Sequence, residues 1–179
     1  MESEPGCQRR MPERMEAECS PKIAETRTGP YKGNDAILIR EIALTDAEAA
    51  AQLSAELGYP AELEEMRERI GVVNSSQDHV VYVACVANAV IGWLDVGIVH
   101  HLATGAHGEI GGFVVSPEYR SAGIGGKLIT RAEQWVADQG IPRMIVRSRI
   151  TREAAHRFYL REGYTMTKTS AVFCKQLKS

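Results

Sequence analysis

No apolar run in this sequence approaches the roughly 18 residues needed to cross a bilayer, so no membrane-spanning helix is expected. The N-terminus has no hydrophobic h-region, which argues against a secretory signal and makes the cytosol the default location. Basic charge is not in excess. Lys and Arg number 21 against 23 Asp and Glu, a formal net charge of -2. Nucleic acid and anionic membrane surfaces are therefore not expected as partners. Cysteine is sparse: Cys7, Cys19, Cys85 and Cys174 are far apart and form no CxxC pair. No disulfide or metal role is expected of them, and Cys85 and Cys174 sit in β-like runs where a free thiol acts as a small hydrophobe. His100, His101 and His107 cluster in an expected loop, without carboxylate or thiol partners at ligand spacing.

What remains is an ordinary globular composition, 44% hydrophobic and 25% charged. Residues 1–35 have few apolar positions and no sustained periodicity, so burial cannot offset their ordering entropy. They are expected to form a mobile tail before a domain over residues 36–179. Met11 and Met15 lie in this segment, and translation from a downstream start is a further expectation.

A strand is expected over residues 37–42, followed by Thr45-Asp46-Ala47-Glu48 in capping-box order and a helix stopped at Gly58. A second short helix opens at Pro60 and closes at Gly71. Its exposed face carries Glu62, Glu64, Glu65 and Glu68, either a solvated surface or a rim that attracts a cationic substrate. Residues 79–86 and 90–99 form an expected hairpin, and 109–115 a third strand of the run. Leu128, Ile129, Ala132, Trp135 and Val136 mark an amphipathic helix ending near Gly140. A short strand over 144–147 follows, then a helix capped by Thr151 and ending at Gly163. Two strands, 164–168 and 171–176, complete the expectation. The class is α+β, a mostly antiparallel sheet with one central βαβ crossover and helices on both faces.

The chemistry concentrates in VSPEYRSAGIGGKL, residues 115–128, where a strand gives way to a glycine-rich loop and a helix. Glycines there let backbone N–H groups converge on an anion at the helix N-terminus. Dinucleotide binding needs G-x-G-x-x-G, but Leu128 holds the third glycine position. A Walker A loop needs G-x-x-x-x-G-K-[ST], but Ser121 replaces the first glycine and Leu128 the hydroxyl residue. Arg120, Gly123 and Gly125 do fit R-x-x-G-x-G, preceded by V-x-P-x-Y. Some forty residues on stands AAHRFYLREGY, residues 154–164.

With these two motifs the sequence resembles the GNAT (GCN5-related) N-acetyltransferases over residues of about 37 to 176. The resemblance implies the GNAT fold, acetyl-CoA as cosubstrate, an amine acceptor and no metal. It implies that N–H groups from Arg120 through Ser121, Ala122, Gly123, Ile124 and Gly125 to Gly126 wrap the pyrophosphate. Phe113, Val114 and Val115 would pair with the pantetheine arm as a pseudo-strand. Ala155 would permit close approach, and Tyr159 matches the tyrosine beside the CoA sulfur. There a phenol offsets thiolate charge by giving a proton or a hydrogen bond. Arg152 stands where many members carry Asn, and a guanidinium there could meet a phosphate.

Glu109 lies eleven residues before Arg120, the position at which some members hold a general base. Strict alternation would put Glu109, Gly111, Phe113 and Val115 on one face. Asp95 and Tyr82 are further candidates for the base. The expected reaction is direct attack of a primary amine of a small molecule on acetyl-CoA in a ternary complex. The Val114 N–H would polarise the acetyl oxygen. Acetylation of proteins or peptides, a non-catalytic acyl-CoA-binding module and homodimerisation are the alternatives left open.

Overall fold

The computed structural model describes residues 36–177. The tail expected over 1–35, with Cys7, Cys19 and both candidate start methionines, lies outside the described residues. Within them the chain runs β1 (Ile37–Glu41), a 3-10 turn (Leu44–Asp46), α1 (Ala47–Leu57), α2 (Leu63–Ser75), β2 (His79–Val86), β3 (Ala89–His101) and β4 (Gly105–Val115). A second 3-10 turn (Pro117–Tyr119), α3 (Ile124–Asp138), β5 (Met144–Val146) and α4 (Glu153–Arg161) follow. The strands form one sheet in the order β1-β2-β3-β4-β5. Every neighbouring pair is antiparallel except β4 and β5, which α3 joins as a parallel pair.

Both faces of the sheet are apolar because β2 is hydrophobic at consecutive positions. Val80, Tyr82, Ala84 and Val86 meet α3 through Leu128, Ile129, Ala132 and Val136. Val81, Val83 and Cys85 meet Ala47 and Ala50 of α1 and Met66 and Ile70 of α2 on the other side. Helices thus cover both faces, as the α+β expectation requires. Each of the largest buried aliphatic side chains contributes about 1.5–3 kcal/mol by leaving water.

Local chemistry departs from expectation at several ends. The Thr45–Glu48 capping box does not form. Instead the Asp46 carboxylate accepts the Ala43 N–H at 2.8 Å and pairs with both terminal nitrogens of Arg40 at 2.6 and 2.8 Å. α1 does stop at Gly58, whose φ of +96° suits glycine. α2 starts later than expected and runs through Gly71 to Ser75, because Ile70 and Val73 continue its apolar face. α4 begins at Glu153 with Arg152 before it, not at a Thr151 cap. The three histidines expected in a loop belong to the extended β3–β4 hairpin, with His107 buried.

Residues 164–177 add no strand, contrary to expectation, so the parallel pair lies at one end of the described sheet. Met166, Val172 and Phe173 are 72–93% exposed. The physical reason is the lack of a template. β5 is three residues long and its ladder on β4 ends at Ile110 and Val146, leaving no long edge to pair with. Cys174, expected as a strand hydrophobe, is accordingly exposed, whereas Cys85 is buried.

Candidate active site

β4 organises the site through a bulge. Val96 faces Ile110 and Asp95 faces Gly112, which leaves Gly111 as an extra residue. One inserted residue reverses the alternation of side chains beyond it. Ile110, Phe113 and Val115 therefore all pack toward α3, while Glu109 points to the opposite face. The expectation that Glu109 shares a face with Phe113 and Val115 fails for this reason. Gly112 is also sterically required, since a Cβ there would lie 2.6 Å from the Trp93 ring.

The same register directs the backbone. β4 pairs with β5 only from Gly108 to Ile110, so its edge is open beyond that point. The Ser116 N–H donates to the Ile91 carbonyl at 2.8 Å. Antiparallel bonding alternates along a strand, so Val114, opposite Trp93, also turns its N–H toward β3. Phe113 and Val115 turn theirs to the open edge. Arg120 Nε donating to the Val115 carbonyl at 3.0 Å lies on that same side. The Val114 N–H expected to meet the acetyl oxygen is thus committed within the sheet, and the available donors are its two neighbours.

At the end of β4 the loop turns into α3 through positive φ values at Ser121 (+64°) and Gly123 (+76°). The helix begins bonding with the Lys127 N–H to the Gly123 carbonyl at 3.2 Å. The N–H groups of Ile124, Gly125 and Gly126 precede that bond and have no carbonyl one turn back. They form an anion-receptive helix terminus. Ile124 offers only its backbone, as its side chain is 1% exposed in the core. Ala122 packs against the same core and does not line the cleft. A Cβ on Gly125 would meet the Phe158 ring at 3.0 Å, so glycine lets α4 close against α3.

The space between the open edge, this terminus and α4 is a cleft of 1290 Å³. Phe113, Val114, Val115, Arg120, Ser121, Gly123, Gly125, Gly126, Arg152, Ala155 and Tyr159, all singled out from sequence, line it together. Tyr159 packs edge-on to Phe158 and Tyr164, with ring centroids 5.4 and 5.7 Å away. Burial pushes its phenol up to about 12, against a smaller opposing effect of Arg152. Arg152 donates Nη2 to the Leu57 carbonyl at 3.2 Å, and so reaches α1.

Glu109 is not among the lining residues. Its Oε1 pairs with Arg147, which does line the cleft, and its Oε2 lies 3.3 Å from His107 Nε2. Burial lowers the pKa of His107, aided by the positive charges of Arg143, His101 and Arg147. Asp95 pairs with His79, whose pKa is raised chiefly by that hydrogen bond. Tyr82 drops out as a base because it is fully buried on the α3 side, under Arg131. None of Glu62, Glu64, Glu65 and Glu68 lines the cleft, and Glu64 and Glu65 pair with Arg67 and Arg69 on their own helix. The charge that does line the cleft is basic: Arg120, Arg147, Arg149, Arg152, Arg157 and Arg161 against three glutamates.

An open strand edge beside a bare helix terminus is the geometry expected of a CoA cleft, and the sequence matches the acetyltransferase (GNAT) family over residues 42–164. The chain belongs to the GNAT acetyltransferase family. It is an acetyl-CoA-dependent N-acetyltransferase. The acetyltransferase is 25% identical to the aminoglycoside N(6')-acetyltransferase type 1 of Stenotrophomonas maltophilia over 134 residues, covering 72% of this chain and 88% of that one. It is 44% identical to the aminoalkylphosphonate N-acetyltransferase of Salmonella typhimurium over 57 residues, 32% of this chain and 37% of that protein. The solved structure of aminoglycoside N-acetyltransferase AAC(6')-Iy in complex with CoA superposes with a TM-score of 0.73 at 18% identity, covering 80% of this chain and 97% of that chain.

The residues of the acetyltransferase fit the cosubstrate. Unpaired N–H groups at α3 suit a pyrophosphate, and the Phe113–Val115 edge suits an extended amide-bearing arm. Arg147 and Phe158 were not anticipated from sequence. The signal for Arg147 lies in the parallel register: Glu109 is level with Ile145, and Arg147, just past the end of β5, is two residues further on. Among the described residues no helix is long and apolar enough to cross a membrane, and no group of three or more His, Cys, Asp or Glu could hold a metal ion.

Proposed function

We propose that this acetyltransferase moves the acetyl group of acetyl-CoA to a primary amine of a small molecule, by direct attack while both substrates are bound. The observation that carries the reading is one continuous cleft that joins the anion-receptive N–H groups of the α3 terminus to Arg147, whose partner Glu109 stands behind the lining. The arm of acetyl-CoA lies along Phe113 and Val115, with its pyrophosphate on the N–H groups of Ile124 to Gly126. Four residues of strand, about 13 Å, separate Val115 from Gly111, which brings the thioester near the bulge. Phe113 supplies the N–H that polarises the acetyl oxygen and holds the oxyanion.

An alkyl ammonium, with a pKa of about 10.4, must first lose a proton. Glu109 takes it, directly or through water. The amine nitrogen then attacks the thioester carbon, the C–S bond breaks, and the nitrogen releases a second proton to the departing thiolate. A thiol near pKa 8.5 is a much stronger acid than a phenol near 12. Tyr159 therefore serves the thiolate by a hydrogen bond and not by full proton transfer. Initial-rate kinetics with both substrates varied test the reading. Direct attack gives intersecting reciprocal plots; parallel plots, the sign of an acetyl-enzyme, would overturn it.

A further inference from the structure

Six arginines against three glutamates is a surplus, and two of these arginines make their contacts away from the glycine loop: Arg147 with Glu109 and Arg149 with Tyr59. Arg147 directly follows Val146, which is level with Ile110, so it stands beside the bulge where the thioester is placed. It is 58% exposed and contacts Glu109 through one nitrogen. Arg149 is exposed and reaches toward the α1–α2 connection, donating Nη2 to the Tyr59 hydroxyl at 3.3 Å. Among the described residues it forms no ion pair with a carboxylate. A guanidinium has five N–H donors in a planar fork suited to carboxylate and phosphonate oxygens, and most of those on Arg147 and Arg149 are uncommitted.

Resting on the amine-acetylation reading above, we infer that the acceptor carries an anionic group two or three atoms from its amine, and that Arg147 and Arg149 receive that group. The contact between Arg147 and Glu109 sets the span. A carboxylate that receives an ammonium and a guanidinium that receives an anion are in touch, so the complementary substrate is a short zwitterion. Its ammonium lies at Glu109 and its carboxylate, sulfonate or phosphonate on the arginines. A polycation would meet a wall of six arginines, and like-charge juxtaposition opposes its binding. Arg149 is then a specificity-determining residue for the acceptor.

The test compares β-alanine, taurine and 2-aminoethylphosphonate with propylamine and 1,3-diaminopropane, read by thiol release from acetyl-CoA. The zwitterions should show kcat/KM at least tenfold above propylamine. Arg149→Gln should erase most of that preference through acceptor KM, Arg149→Lys should restore part of it, and KM for acetyl-CoA should move less than twofold. Calorimetric titration of the same amines into the CoA-bound enzyme gives a readout independent of turnover. Saturable binding of zwitterions that Arg149→Gln abolishes supports the inference even if no amine is acetylated, a result that would sink the function reading alone. Acetylation of propylamine or diaminopropane as fast as the zwitterions overturns the inference and leaves the function reading standing. Equal rises in KM for acceptor and acetyl-CoA in Arg149→Gln also overturn it, since the arginine would then serve the cosubstrate. So does failure of every zwitterion to bind.

Discussion

Gly125→Ala adds one methyl group at the second residue of α3, where φ is not in the left-handed region and the backbone is unstrained. The new Cβ would stand 3.0 and 3.1 Å from Cε2 and Cζ of Phe158 and 3.2 Å from Cζ of Phe113. Relaxed carbon contacts lie at about 3.5–4.0 Å, so the Phe158 ring must retreat by roughly 0.5–1 Å. Overpacking of this kind costs about 1–3 kcal/mol, while Ala in place of Gly in a helix returns up to about 1 kcal/mol. The net cost in the single variant is about 0–2 kcal/mol and mixes the two effects. A double-mutant cycle with Phe158→Leu isolates the steric part, because helix propensity is the same in both backgrounds. The coupling should be about 1–3 kcal/mol, with Gly125→Ala less harmful once the ring is gone. Urea unfolding of the four proteins, followed by the fluorescence of Trp93 and Trp135, measures it. In thermal melts the same coupling amounts to roughly 2–12 °C. A coupling below about 0.5 kcal/mol, the level of independent sites, would refute the argument that Gly125 is small to admit Phe158.

Tyr159→Phe should lower turnover about 10- to 100-fold, the loss of one hydrogen bond to a developing charge, with little change in KM for acetyl-CoA; unaltered turnover would remove Tyr159 from the reaction. Glu109→Gln should depress activity at neutral pH and recover toward wild type near pH 10, where the free amine forms unaided. A loss that is flat across pH would assign Glu109 a structural part instead. For His79 the folded pKa lies above the unfolded value of 6.5, so its stabilisation is complete below about 6.5 and fades as pH rises through the folded pKa. The stability gap between wild type and His79→Gln, from urea melts, should therefore narrow as pH rises above about 6.5; a gap that widens would contradict the His79–Asp95 pairing.

Much of this molecule is decided by short-range patterns. The unbroken hydrophobicity of β2, the apolar stripe of α3, and Gly58 at the end of α1 are local facts, and each of those elements formed where its pattern placed it. The R-x-x-G-x-G loop is also local, because positive φ at Gly123 and absent side chains at Gly125 and Gly126 are properties of the residues themselves. Expectations failed where a neighbour decides. The segment 164–177 alternates like a strand, yet pairing needs an edge and β5 offers three residues. Gly71 looks like a helix stop, but the apolar face continues past it into Val73.

The bulge at Gly111 is the case with the largest consequence. One residue more on β4 than on β3 cannot be seen in either strand alone, since it is a property of their register. It turned Glu109 away from Phe113, committed the Val114 N–H to the sheet, and handed the open edge to its neighbours. By itself, then, the sequence determined the glycine-rich loop, the strand and helix around it, and the helix that carries Tyr159, because those depend on residue type and spacing. Only the tertiary structure decided which donors face the cleft, that Glu109 is held by Arg147 and His107, and that the cleft wall is basic. Those are relations between residues distant in the chain, 38 positions apart for Glu109 and Arg147, fixed by strand register and packing.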